Sequence, residues 1–84
     1  MPDWSGITPG SDLWQHEQVA RAIAAAIASG EFPPGSRLPS QDRMAAEAGV
    51  SKHTVSAAIG VLRERGLVYT RARLGTFASP PQDG

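Results

Sequence analysis

The chain has 84 residues, no cysteine and a formal net charge of +0. That length holds one small domain near the lower limit of what a single apolar core stabilises. Without thiols, neither a disulfide framework nor a cysteine zinc site is available to help it. No apolar run approaches the roughly 20 residues of a membrane span. The opening MPDWSGITPG also lacks the basic and apolar parts of a signal peptide. A cytoplasmic chain with no membrane partner is therefore the expectation.

Residues 1–12 are rich in Pro, Gly and Ser without an apolar period, and read as a flexible arm whose one sticky residue is Trp4. From Leu13 to Ser29 the pattern becomes helical. Ser11 or Asp12 offers a cap, Val19, Ile23 and Ile27 recur every four residues beside Ala22 and Ala26, and Gly30 closes the run. Trp14 on this helix is expected in the core. The connection GEFPPGSRLPS excludes helix through its prolines, with Phe32 and Leu38 pinning it to the core. Ser40 opens a second helix, Gln41 to Ala48, and Gly49 ends it; the capping box is incomplete because Arg43 stands where Glu or Gln would reach back.

Val50 lies between two caps, Gly49 and Ser51, and so short a turn makes the flanking helices cross steeply, as in a helix-turn-helix. The third helix runs from the Ser51 cap to its stop at Gly66. Next comes the strand LVYTR, with Leu67, Tyr69 and Arg71 on one side and Val68 and Thr70 on the other; ARLG turns the chain and TFA returns it as a hairpin. Residues 79–84 read as a disordered tail. The expected fold is mainly α with a small β-hairpin: a winged helix-turn-helix of three helices plus wing over residues 13–78.

The third helix is odd. Val55, Ala58, Ile59 and Leu62 share one face, but the opposite face carries His53, Ser56, Ala57 and Gly60, where a solvated helix would carry long side chains of better helix propensity. A helix lying in the DNA major groove, roughly 12 Å wide, must bring its surface against base edges between two phosphate walls. Small residues in its middle permit that approach, while Lys52, His53 and Thr54 at its amino end reach bases or phosphates. Close packing on another protein would equally suit such a stripe. Charge tips the balance, since residues 1–50 hold three arginines against six acids, whereas residues 51–84 hold five cations against two acids. A local field steers a polyanion even when net charge is zero. Arg71 and Arg73 at the hairpin turn can enter a minor groove or grip a phosphate.

Residues 16–78 resemble the DNA-binding domain of the GntR family of bacterial transcription regulators. The resemblance rests on Ser29, Gly30 and Glu31 ending the first helix, on Pro34, Gly35, Leu38, Pro39 and Ser40 in the connection, and on GVSKHTV, LRERGLV and the wing ending Gly75, Thr76, Phe77. It implies an operator-contacting recognition helix, with Ser51, Lys52, His53 and Thr54 at its start, and a contacting wing around Gly75. Three positions depart from the family pattern: Asp42 stands at a usual arginine with Arg43 one place later, Ser56 at another, and Arg73 at a usual wing glycine. The expected DNA-binding set is therefore Ser40, Arg43, Ser51, Lys52, His53, Thr54, Ser56, Arg71, Arg73 and Gly75.

Family members carry a C-terminal effector domain that often makes the dimer, yet this chain ends shortly after the wing. Either this sequence is one domain of a longer regulator or, as Met1 at its start suggests, a naturally minimal one; two copies meeting an inverted-repeat operator are the expectation, most simply as a repressor. No enzyme, cofactor or metal is expected, because no spacing brings a base to a nucleophile and His16 and His53 lie on separate helices without partner ligands. The alternative is a winged helix used as a protein-interaction module in transcription or plasmid maintenance machinery.

Overall fold

The computed structural model describes residues 4, 7 and 12–80. Three helices, α1 (Asp12–Ala28), α2 (Gln41–Ala48) and α3 (Lys52–Glu64), precede an antiparallel hairpin of β1 (Val68–Arg71) and β2 (Gly75–Ala78). Each boundary has a local cause. Ser40 and Ser51 adopt extended backbone, and their hydroxyls accept from the backbone N–H of Arg43 and Thr54, both at 3.1 Å, satisfying donors the first helical turn leaves open. Gly49 ends α2 at φ 72°, a left-handed conformation that costs glycine little, and its N–H returns to the Ala45 carbonyl. Only Val50 then separates the two caps, and α2 packs on α3 across this short turn.

The apolar period of the sequence becomes the core. Val19 and Ile23 of α1 meet Val55, Ala58, Ile59 and Leu62 of α3, with Met44 of α2, Leu38 of the connection, and Val68 and Ala78 of the hairpin completing one cluster. The central packing is α1 on α3, with α2 also resting on α3. Because α3 is buried along one face by both helices and the hairpin, its remaining face is held outward rigidly.

The strand LVYTR starts one residue later than its sequence suggests. Leu67 closes the end of α3 by donating its N–H to the Leu62 carbonyl at 2.9 Å, so pairing begins at Val68, opposite Ala78. Tyr69 and Phe77 sit opposite each other and stack, with ring centroids 5.5 Å apart. The connection is more ordered than a proline-rich loop: Arg37 bridges to Phe77, Leu38 N–H donates to Thr76 and Ala78 N–H to Ser36. A third extended segment thus lies along the outer edge of β2.

Two expectations about the ends are corrected. Trp14 is 64 % exposed on α1, and it is Trp4 that packs against the core, half-buried, with Ile7 beside it. Helical spacing put Trp14 out of phase with Val19 and Ile23, which is why it misses the core. The arm is therefore not free at Trp4 and Ile7, and α1 already includes Asp12; the proposed Ser11 cap and the rest of residues 1–11 lie outside the described residues. At the other end Ser79 is tied by its N–H to the Leu67 carbonyl at 3.0 Å, while residues 81–84, part of the expected tail, lie outside the described residues.

Candidate nucleic-acid interface

The outward face of α3 carries exposed Ser51, Lys52, His53 and Ser56, followed by half-buried Ala57 and Gly60. A Cβ at Gly60 would meet nothing within 4 Å, so no packing contact among the described residues calls for glycine there. Glycine inside a helix costs about 1 kcal/mol relative to alanine. The bare stripe is thus paid for without an internal return.

Thr54 corrects the expected contact set. It is 2 % exposed, and its hydroxyl lies 2.9 Å from Ser51 Oγ beneath the start of α3. One residue of rotation, about 100°, separates it from His53 and turns it to the core. Thr54 therefore shapes the cap and offers no surface to a ligand, while Ser51 is both exposed and occupied as the cap.

Two expected cations have carboxylate partners. Arg43 Nε donates to Glu47 Oε2 at 3.0 Å along α2, and Lys52 Nζ lies 3.4 Å from Asp42 Oδ1, joining the starts of α2 and α3. Both pairs are exposed at the cation, so they are readily exchanged for a stronger anion. Ser40 is exposed at the start of α2 and Arg71 at the end of β1, while Arg73 occupies the hairpin turn at φ 68°. A left-handed conformation costs a non-glycine residue roughly 1–2 kcal/mol. Gly75 follows at φ 117°, and a Cβ there would lie 2.9 Å from Arg37 Nε. Gly75 therefore serves the close approach of Arg37 to the wing.

Arg37 is the residue that the sequence reading missed. The connection looked like a loop, in which alternation carries no meaning. Once its edge pairs with β2, the period of two applies: Leu38 turns inward to the core and Arg37 outward. A groove of ≈ 380 Å³ runs between the start of α2 and the wing, lined among others by Arg37, Ser40, Gln41, Arg71 and Arg73, and among the described residues no carboxylate lines it. The structure thus brings Ser40 together with Arg71, Arg73 and Gly75, and holds Lys52, His53 and Ser56 exposed on α3. Arg43 faces Glu47 instead. Among the described residues no group of three potential metal-ligating His, Cys, Asp or Glu side chains gathers, and no helix is long and apolar enough to cross a membrane.

A tight turn between α2 and α3, a bare outward face on α3 and a hairpin after it are the arrangement of a winged helix-turn-helix. Residues 15–78 match the profile of the bacterial regulatory proteins of the gntR family. The chain belongs to this family. This gntR-family chain is 41 % identical over 64 residues to the HTH-type transcriptional regulator Rv0792c of Mycobacterium tuberculosis (strain ATCC 25618 / H37Rv), covering 76 % of the chain and 24 % of that protein. It is 32 % identical over 79 residues to the HTH-type transcriptional regulator Rv1152 of the same strain, covering 94 % of the chain and 65 % of that regulator. It therefore spans about a quarter of one relative and under two thirds of the other. Among solved structures, the DNA-binding domain of AraR in complex with operator ORE1 superposes with a TM-score of 0.74 at 34 % identity, covering 76 % of this chain and 78 % of AraR's. The gntR-family fold here is the winged helix-turn-helix.

Proposed function

We propose that this domain binds double-stranded DNA with sequence specificity as a bacterial transcription regulator acting as a repressor, without enzymatic activity and in the cytoplasm. In this reading α3 enters the major groove, where Lys52, His53 and Ser56 face the bases and Ser51 the backbone. The wing, residues 71–76, lies on the minor groove or backbone through Arg71 and Arg73, with Gly75 keeping the strand thin. Ser40 approaches the backbone from the start of α2, and Arg43 does so on exchanging Glu47 for a phosphate.

The observation that carries the reading is Gly60. A helix tightly held on one face keeps a glycine on the other where no neighbour among the described residues requires it. Groove insertion supplies the missing reason, because every side-chain carbon added there lifts the helix off the base edges. Membership of a family of bacterial regulatory proteins supports it independently.

A single module of this size buries about 600–1,000 Å² on DNA, too little for tight specific binding at cellular salt. Two copies on an inverted repeat are the economical arrangement, with half-sites about one helical turn apart or a multiple of it. Selection of bound sequences from a random duplex pool, with stoichiometry read on the same complexes, tests both claims. A palindromic winner bound two to one is expected. Absence of any affinity for duplex at low salt, with a partner protein masking His53, Ser56 and Gly60, would instead establish the protein-interaction module.

A further inference from the structure

We propose that Arg37, which lies outside both the helix-turn-helix and the hairpin, is a DNA-backbone contact. Its guanidinium joins Arg71 and Arg73 in taking one phosphate in the groove between the wing and the start of α2. The proposal rests on the DNA-binding reading and adds to it a residue and a seat.

Three observations place the arginine there. The bridge to Phe77 and the bond from Leu38 N–H to the Thr76 carbonyl, 2.8 Å, fix the connection against β2, so Arg37 is held on the outward side of the wing rather than swinging on a loop. Its guanidinium lies across the bare Cα of Gly75: a Cβ built there would stand 2.9 Å from Nε and 3.5 Å from one terminal nitrogen, so the absence of a side chain at 75 makes its berth. Finally, Arg37, Arg71 and Arg73 all line one groove that no carboxylate among the described residues lines, whereas Arg43 and Lys52 nearby each have one within 3.4 Å or less.

Three cations sharing a groove repel one another, and an anion between them removes that cost. A guanidinium suits a phosphate better than an ammonium would, because its planar fork donates two parallel hydrogen bonds to two oxygens of the same group. The seat also lies beside Ser40 and Gln41 at the start of α2, where the helix end favours negative charge. A duplex whose major groove receives α3 runs its backbone past the wing, which brings a diester phosphate, rather than a small free anion, to this place.

The test is the salt dependence of duplex binding by the full chain and three variants, Arg37→Gln, Arg37→Lys and Arg21→Gln, the last on the exposed face of α1. Each phosphate contact contributes about 0.9 to the slope of log affinity against log salt. Arg37→Gln is expected to lower that slope by about this amount and to weaken binding roughly three- to tenfold, equally for specific and random duplexes. Arg37→Lys keeps the slope while losing part of the affinity, and Arg21→Gln changes neither. Circular dichroism and thermal melting check that each variant is folded. Weaker binding by Arg37→Gln at an unchanged slope would reveal a merely structural role and overturn the proposal, as would unchanged affinity. Loss confined to competition by millimolar inorganic phosphate, with duplex binding intact, would overturn it in favour of a free-anion site. A wild-type chain that bound no duplex at any salt would overturn the DNA reading itself, and is thus told apart from failure of Arg37 alone.

Discussion

At the scale of single residues, the fold accepts local costs at the positions that face outward. Gly60 in α3 and Arg73 in the wing turn are both poor choices for the backbone they occupy, one a glycine in a helix and the other a side chain at φ 68°. Replacing Gly60 by alanine is expected to raise stability by about 0.5–1 kcal/mol, read as a higher denaturant midpoint, because the new methyl meets open space. Arg73→Gly is expected to gain about 1 kcal/mol by relieving the left-handed conformation while weakening duplex binding with a shallower salt slope, so melting and titration should move in opposite directions. Asp42 acts through Lys52, whose ammonium it holds 3.4 Å away. Asp42→Asn should tighten binding to random duplex and steepen its salt dependence, since a cation is freed and an acid is removed from the face presented to phosphates. Titration of both proteins on the same duplex checks it.

At the scale of elements, the two tryptophans reverse the roles their positions suggested. Trp4 packs on the core from ahead of α1 with its Nε1 buried and without a hydrogen-bond partner among the described residues, while Trp14 projects from the helix itself. Trp4→Ala is expected to cost about 2 kcal/mol, part of the full cost of a buried aromatic, and Trp14→Ala less than about 0.5 kcal/mol. Trp4→Phe should retain most of the stability, since it removes an unsatisfied donor along with some area. Urea denaturation of the three variants separates them, and a larger loss for Trp14→Ala would contradict the packing. The connection between α1 and α2 is the other element whose role exceeds its sequence. Its pairing with β2 couples the wing to the start of α2, so the two surfaces proposed to meet one DNA backbone are held at fixed distance.

At the scale of the whole molecule, a formal net charge of +0 conceals a division of labour. The acids gather in the first half, and two of them, Asp42 and Glu47, neutralise cations at the helix-turn-helix, while no acid among the described residues lines the wing groove. Long-range attraction to a polyanion is therefore weak and contact is local. The expected consequence is a module that binds a single half-site poorly and a correctly spaced pair well: moving the half-sites of a selected palindrome apart by about half a helical turn should abolish two-to-one binding, measured by mobility shift or analytical ultracentrifugation.

Much of this was written in the linear order of residues. The periods of Val19, Ile23 and Ile27 and of Val55, Ile59 and Leu62, the caps at Ser40 and Ser51, and the stops at Gly49 and Gly66 act over a few residues, and local chemistry is enough to place three helices and a hairpin. The face of α3 was legible for the same reason, since a helix's apolar period assigns its opposite side; Thr54 was misread because it sits at the edge of that division, where a single turn of cap geometry decides. What only the tertiary structure decided are contacts between segments distant in sequence: Trp4 on the core in place of Trp14, Lys52 against Asp42, the connection against β2, and through it Arg37 across Gly75. Such partners are chosen by how whole elements pack, and no periodicity along the chain carries that information.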